Sequence, residues 1–260
     1  MFAPEGGKEP LQAEMAEFSM GSDHQVYTDS SFGIPAIYLN DWPDRYIHTN
    51  FDTPANVDPT KLKRAAFIGA ASGYFLANVK SSDADSILKV LQSNSLRRTS
   101  TILARRAALS SEEAANLTRF HLWRERMLID SMDRFFRVPD ATGADSVAFL
   151  NNAERLVGNV KPAPTPQGDG RLVFQRNAQV KGPMGAFGYD YFTDHYGAEK
   201  ERALRLSGEY TYEVLNLVNG TRNAQEIRDF VSATYGPVPL EHVVEYLRAL
   251  ESIKVIDAVK

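Results

Sequence analysis

The chain has 260 residues, 43% of them hydrophobic and 24% charged, with a formal net charge of −4. That length can bury one or two globular cores, and the slightly acidic balance leaves no electrostatic footprint for nucleic acid or an anionic membrane surface. The absence of cysteine excludes disulfides, thiolate zinc sites and cysteine nucleophiles, and no window approaches the ~18 uninterrupted apolar residues of a membrane span.

Met1-Phe2-Ala3-Pro4-Glu5 lacks the basic and apolar regions of a signal peptide, so the polypeptide as given reads as soluble. The first informative stretch runs from Gly21-Ser22-Asp23-His24 to Asp58-Pro59. Within it, Gly33-Ile34-Pro35-Ala36-Ile37-Tyr38-Leu39 is a short apolar run with little polar alternation, which predicts a central strand covered on both faces. A polar, Pro-bounded loop follows and places His48 and Asp52 four residues apart, beyond the carboxyl end of that strand, where open α/β sheets carry their chemistry. Asp58 reads as a helix N-cap with Pro59 at the first helical position, and the helix is predicted to run to about Val79. Ala66, Gly69, Ala70 and Gly73 give it a small-residue face for close approach to a sheet, while Leu62, Ile68, Phe75, Leu76 and Val79 supply bulk.

Ser22-Asp23-His24, Gly33-Ile34-Pro35-Ala36 and Ile47-His48-Thr49-x-x-Asp52-Thr53-x-x-Asn56-x-Asp58-Pro59 together resemble the closing segment of metallopeptidase family twenty-eight. These are the dizinc aminopeptidases related to glutamate carboxypeptidase, and the likeness spans roughly Ser19 to Val79. The resemblance implies hydrolysis of N-terminal peptide bonds in a peptide substrate, with two zinc ions as cofactor. It makes His48 the last zinc ligand, puts Asp23 on the substrate side of the pocket, and has Asp52 orient the pocket and the loop that bears His48. The family's other ligands and its general base come earlier in the chain, as a His-x-Asp pair, a bridging Asp, a Glu-Glu pair and one more acidic residue. The residues before Gly21 contain no His and none of these motifs. The expectation is therefore the C-terminal portion of a zinc aminopeptidase, inactive alone, with no catalytic residue of its own and no tight hold on zinc. Pairing with a missing N-terminal half or with a second copy would complete it. Relatives are often exported, so the resemblance leaves the compartment open.

Beyond Lys80, Ile87, Leu88 and Leu91 stripe one helix. Ser110 with Glu113 matches a capping box for a second, which carries Leu117, Phe120, Trp123, Met127, Leu128, Met132 and Phe135 to about Phe136. The two predict an antiparallel helical pair. His121 and Glu125, at i and i+4, read as a solvated face rather than metal ligands, and Arg97-Arg98 and Arg105-Arg106 as surface charge.

Val160 to Gly170, with three prolines, reads as a linker, Leu172-Val173-Phe174 as a short strand, and Gly182 to Phe192 as a packed aromatic surface loop without the spacing or lysine of a phosphate site. From Leu204 the pattern becomes three short helices and a strand at Val255 to Val259. This resembles, at the level of topology, the small winged-helix units of peptide-binding chaperones in cofactor maturation, including the Leu217-Val218-Asn219-Gly220-Thr221 turn that leads to Glu226-Ile227. Its third helix, Leu240 to Ser252, carries Glu241, Glu245 and Glu251 against Arg248, a balance that repels phosphates and argues against DNA binding.

The expected architecture is an α/β C-terminal segment of a zinc-peptidase fold, followed by a mainly α accessory region ending in a winged-helix-like unit. The expected divisions are 1–80, 81–160, 161–203 and 204–260. The rival from another class is a non-catalytic interaction or scaffold protein that works through its C-terminal domain.

Overall fold

The computed structural model describes residues 13, 15–158, 160–186 and 188–259. Met1 to Glu5, read above for a leader, and Phe187 of the aromatic loop lie outside the described residues.

The chain is mostly helical. In order come α1 (His24–Tyr27), α2 (Pro59–Asn78), α3 (Ala84–Arg106), α4 (Ser111–Asp130), α5 (Asp140–Val157), strand β1 (Phe174–Arg176), α6 (Tyr191–Tyr196), α7 (Ala198–Ala203), α8 (Glu209–Leu217), α9 (Ala224–Tyr235), α10 (Leu240–Ser252) and strand β2 (Ile256–Ala258). None of these helices is long and apolar enough to cross a membrane.

Helix α2 begins as its sequence dictates. The Asp58 carboxylate accepts from the backbone N–H of Thr60 (2.8 Å) and Lys61 (3.2 Å), which satisfies two of the donors that a helix start leaves unpaired. Those bonds hold the Asp58 carboxyl below its ordinary pKa. The packing expected of this helix is not present, because none of its residues is buried and a Cβ added at Gly69 or Gly73 would meet nothing within 4 Å. The central strand expected over 33–39 is likewise absent: those residues form no ladder, and Ile37 is 72% exposed. The physical reason is shared. A strand must pair its N–H and C=O groups with neighbours, and among the described residues the sheet consists of β1 and β2 alone.

Helices α3, α4 and α5 pack together around Leu88, Ile129 and Met132, with Phe136, Val138, Phe149 and Leu150 at the margin. The expected pair is thus a trio, since α5 had no counterpart in the sequence reading. Helix α4 ends at Asp130 and passes into a 3-10 turn at Ser131–Arg134, short of the expected Phe136. Ser110 caps it by accepting from the Glu113 N–H at 3.3 Å. The Glu113 carboxylate, expected to reach back to the cap, instead pairs with Arg228 of α9, both side chains being largely covered.

Antiparallel β1 and β2 pair Phe174 with Ala258, Gln175 with Asp257 and Arg176 with Ile256. Over them lie α8, α9 and α10, whose Val214, Ile227, Val243, Leu247 and Leu250 form one closed core with Phe174, Val255 and Ile256, all but fully buried. Asn223 and Glu226 form a reciprocal capping box at the start of α9, with bonds of 3.0 and 2.9 Å. Phe174 and Met184 belong to this core, which therefore crosses the 203/204 boundary read from the sequence.

The helical trio is joined to this body. Asn116 donates to the Asp229 carbonyl at 2.8 Å, Arg105 reaches the Ala233 and Thr234 carbonyls at the C-terminal end of α9, and Phe230 sits edge-on to Phe120 and Trp123. A guanidinium at a helix C-terminus also meets the negative end of the helix dipole.

Candidate functional site

The loop expected to hold the chemistry, residues 40–58, is exposed throughout except at Asp58, which is partly covered. It is wired internally. Asp44 accepts from the N–H groups of Tyr46 (2.8 Å) and Ile47 (3.2 Å), the Thr49 hydroxyl donates to the Tyr46 carbonyl at 2.6 Å, and Asn56 donates to the Phe51 carbonyl at 2.7 Å. Asp41 ties the loop to α2 through Lys61 at 2.6 Å, and this pairing raises the Lys61 pKa.

At the loop's apex His48 is exposed, with φ at 61°. Few residues other than glycine occupy this left-handed region, and such conformations concentrate at functional positions. Asp52 is also exposed on the loop, while Asp23 is exposed at the start of α1 on a different part of the chain. Among the described residues no three His, Asp or Glu side chains are arranged to hold a metal ion. Catalytic zinc takes about three protein ligands and an open position. One exposed imidazole does not make a zinc pair, and no chemical step through zinc follows from these residues.

The neighbouring Ser22-Asp23-His24 motif lies elsewhere. His24 is buried, with Nε2 2.7 Å from the Ser19 carbonyl oxygen and its ring stacked on Tyr38 at 4.3 Å. Residues 17–33 form a strap that lies over the C-terminal body. Phe18 stacks on Tyr212 at 4.4 Å, the Tyr212 hydroxyl donates to the Gln25 carbonyl at 2.7 Å, and the Ser30 N–H donates to Asn216 Oδ1 at 2.7 Å. Arg176 grips Asp29, Nη1 to Oδ1 at 2.9 Å and Nη2 to Oδ2 at 3.2 Å, with the Asp29 side chain 1% exposed and that of Arg176 10%. None of this was visible in local patterns, since the bond from Ser30 to Asn216 spans 186 positions.

A second buried polar set joins α3 and α4. His121 and Glu125, expected on a solvated face, are each 2% exposed. Glu125 accepts two hydrogen bonds from Arg98, from Nε at 2.6 Å and Nη2 at 2.7 Å, while His121 Nε2 lies 2.9 Å from the Thr99 hydroxyl. Burial disfavours a charged His121 and lowers its pKa despite the nearby Glu125 carboxylate. Burial also opposes ionisation of Glu125, but the Arg98 hydrogen bonds and charge outweigh it, and the carboxyl sits below its ordinary value. The clue lay on the other helix, in Arg98-Thr99 placed to face the pair.

In comparison with known proteins, residues 3–72 match the model of Peptidase family M28. The match covers His48, Asp23 and Asp52 and ends within α2. No curated protein matches the chain. No solved structure matches it.

Proposed function

We propose that residues 19–79 are the closing segment of a zinc-dependent aminopeptidase domain, a hydrolase acting on N-terminal peptide bonds, and that His48 is the zinc ligand this segment contributes. Asp23 and Asp52 then border the pocket and the loop that carries His48. The observation behind this reading is the family match over residues 3–72, which contains the whole His48-Thr49-x-x-Asp52-Thr53 block. The exposed His48 at positive φ and the bare α2 fit a surface meant to receive the remainder of such a domain. The reading makes the isolated chain inactive and keeps zinc from binding it tightly, since one imidazole is too few ligands.

The test is the coding DNA just upstream of Met1. A stretch, in frame or frameshifted, that encodes His-x-Asp, the bridging Asp and Glu-Glu is expected. A protein with that stretch restored should release leucine from chromogenic substrates and lose this activity on His48→Ala. A restored protein that is active but indifferent to His48→Ala refutes the assigned role.

A second reading, a non-catalytic interaction protein working through its C-terminal body, is favoured by one observation. That body closes its own core without residues 17–78.

A further inference from the structure

The strap has the physical character of a bound peptide rather than of a core element. Among the described residues, the C-terminal core draws only on residues 172–256, so it is complete before the strap is added. Tyr212 is the telling residue. It is buried but stands outside that core, and what covers it is Phe18 above its ring and the Gln25 carbonyl and Thr28 hydroxyl at its own hydroxyl, the latter 2.8 Å away. Burial accordingly raises the Tyr212 pKa.

The remaining contacts are directional and polar, as in peptide recognition. Asp29 folds an Asp-Ser-Ser turn by accepting from the Ser31 N–H (2.9 Å) and hydroxyl (2.6 Å), and that turn presents the carboxylate to the Arg176 fork. Arg176 Nη1 also donates to the Ser30 hydroxyl at 2.7 Å, and the Gly182 N–H donates to Ser31 Oγ at 2.8 Å. Phe32 lies 3.7 Å from where a Cβ on Gly182 would sit, so the residue with the barest backbone lies beneath the ring. The strap is flanked on one side by the exposed Met15 and on the other by the exposed residues 34–57, so outside this face its lifting off breaks only the surface ion pair of Glu17 with Arg124 of α4 (2.7 Å) and moves Tyr38, stacked on His24, along with it.

We propose that Arg176, Tyr212, Asn216 and the backbone of 182–185 form a peptide-binding face, and that residues 17–33 of the same chain occupy it as an intramolecular ligand. The ligand class is a polypeptide with an aromatic residue followed, eleven positions on, by an Asp-Ser-Ser turn. The tether gives the internal segment an effective concentration of roughly millimolar, so a free copy of the segment is largely shut out of the intact protein. This holds whether or not His48 binds zinc.

The experiment uses the full chain and a fluorescein-labelled peptide of residues 15–34, followed by anisotropy. Wild type should bind the peptide weakly. The full-chain double variant Phe18→Ala with Asp29→Asn, whose own strap is weakened, should bind it at least tenfold more tightly, and adding Arg176→Ala should abolish the gain. No gain in the double variant, or a gain unaffected by Arg176→Ala, overturns the proposal. If the double variant does not fold, amide exchange of wild type decides. Protection at Ser30, Phe32 and Gly33 should be lost by a local opening insensitive to low urea, while α9 and α10 open only globally. Shared urea dependence overturns the proposal.

Discussion

Replacing Glu125 with alanine should weaken the helical trio severely. The carboxylate is almost wholly buried and is held by Arg98 at 2.6 and 2.7 Å. Removing one member of a buried ion pair costs about 3–5 kcal/mol, because the other is left without its counter-charge. Arg98 retains 25% of its side-chain surface, so water can reach part of the orphaned guanidinium, and the low end, about 3 kcal/mol, is the expected loss. Against a domain stability of about 5–15 kcal/mol this is large. Urea denaturation at pH 7, followed by circular dichroism, should be run on wild type, Glu125→Ala, Arg98→Met and the double variant. If the pair carries the effect, the double variant loses less than the sum of the singles by about 1–3 kcal/mol. A loss below about 1 kcal/mol for Glu125→Ala, the size of an ordinary substitution, or strictly additive singles, refutes the reasoning.

The same cluster fixes a pH dependence. His121 has a folded-state pKa below its ordinary 6.5, so the unfolded chain takes up the proton first as pH falls, and stability present above about 6.5 drains away below it. Glu125, also lowered in the fold, adds a second loss below its ordinary 4.5. Melting temperature should therefore be level above pH 7 and fall below 6.5, and His121→Gln should flatten the first of these steps; an unchanged slope in that variant counts against the buried neutral histidine. The isolated chain with added zinc should show no turnover of leucyl or alanyl chromogenic substrates, and turnover abolished by His48→Ala would reveal a site these residues do not display. Duplex DNA at low ionic strength should leave the chain unshifted, since on α10 Arg248 is already paired with Glu251 at 2.8 Å and Glu245 with Arg205 at 3.1 Å. A salt-dependent shift would contradict that balance. Amide exchange should be fastest over residues 34–58, intermediate in the strap and slowest in α9 and α10; equal protection of 34–58 and α10 would mean that the exposed segment is covered in solution.

What was legible in the sequence was local. Asp58-Pro59 marks the start of α2 and Ser110 that of α4, because a cap's partners lie within four residues of it. Helix α10 and strand β2 fall where their apolar spacing puts them. What failed was non-local. The run at 33–39 has a strand's composition, but a strand exists only when a neighbour pairs with it. The stretch from Gly21 to Pro59, taken together in the sequence, also divides, since 21–32 found cover on Tyr212, Asn216 and Arg176 while Ile34 and Ile37 did not. His121 and Glu125 read as solvent-facing because their partners, Thr99 and Arg98, sit on another helix. Helix α5 escaped notice because Gly143 and the Asn151-Asn152 pair interrupt its apolar stripe.

The exposure is lopsided in a way that bears on function. From Leu117 to Ile256 the large aliphatic side chains mostly enter one of two cores, whereas Ile34, Ile37, Leu39, Trp42, Phe67, Tyr74 and Leu76 stand in water. Each such side chain forgoes roughly 1.5–3 kcal/mol that burial would supply, and a helix without tertiary packing is marginal at the 20-residue length of α2. So many large exposed apolar side chains between residues 34 and 76 exceed the scattered ones that ordinary surfaces carry. The small-residue row Ala66, Gly69, Ala70 and Gly73 makes sense only against a close neighbour, since glycine inside a helix costs about 1 kcal/mol relative to alanine and here returns no contact. The part of the family match over residues 34–72 is therefore also a stretch whose apolar side chains lack what they are shaped to touch. The strap, fastened through Asp29 and Tyr212, keeps that unsatisfied surface attached to a body whose own core draws on residues 172–256.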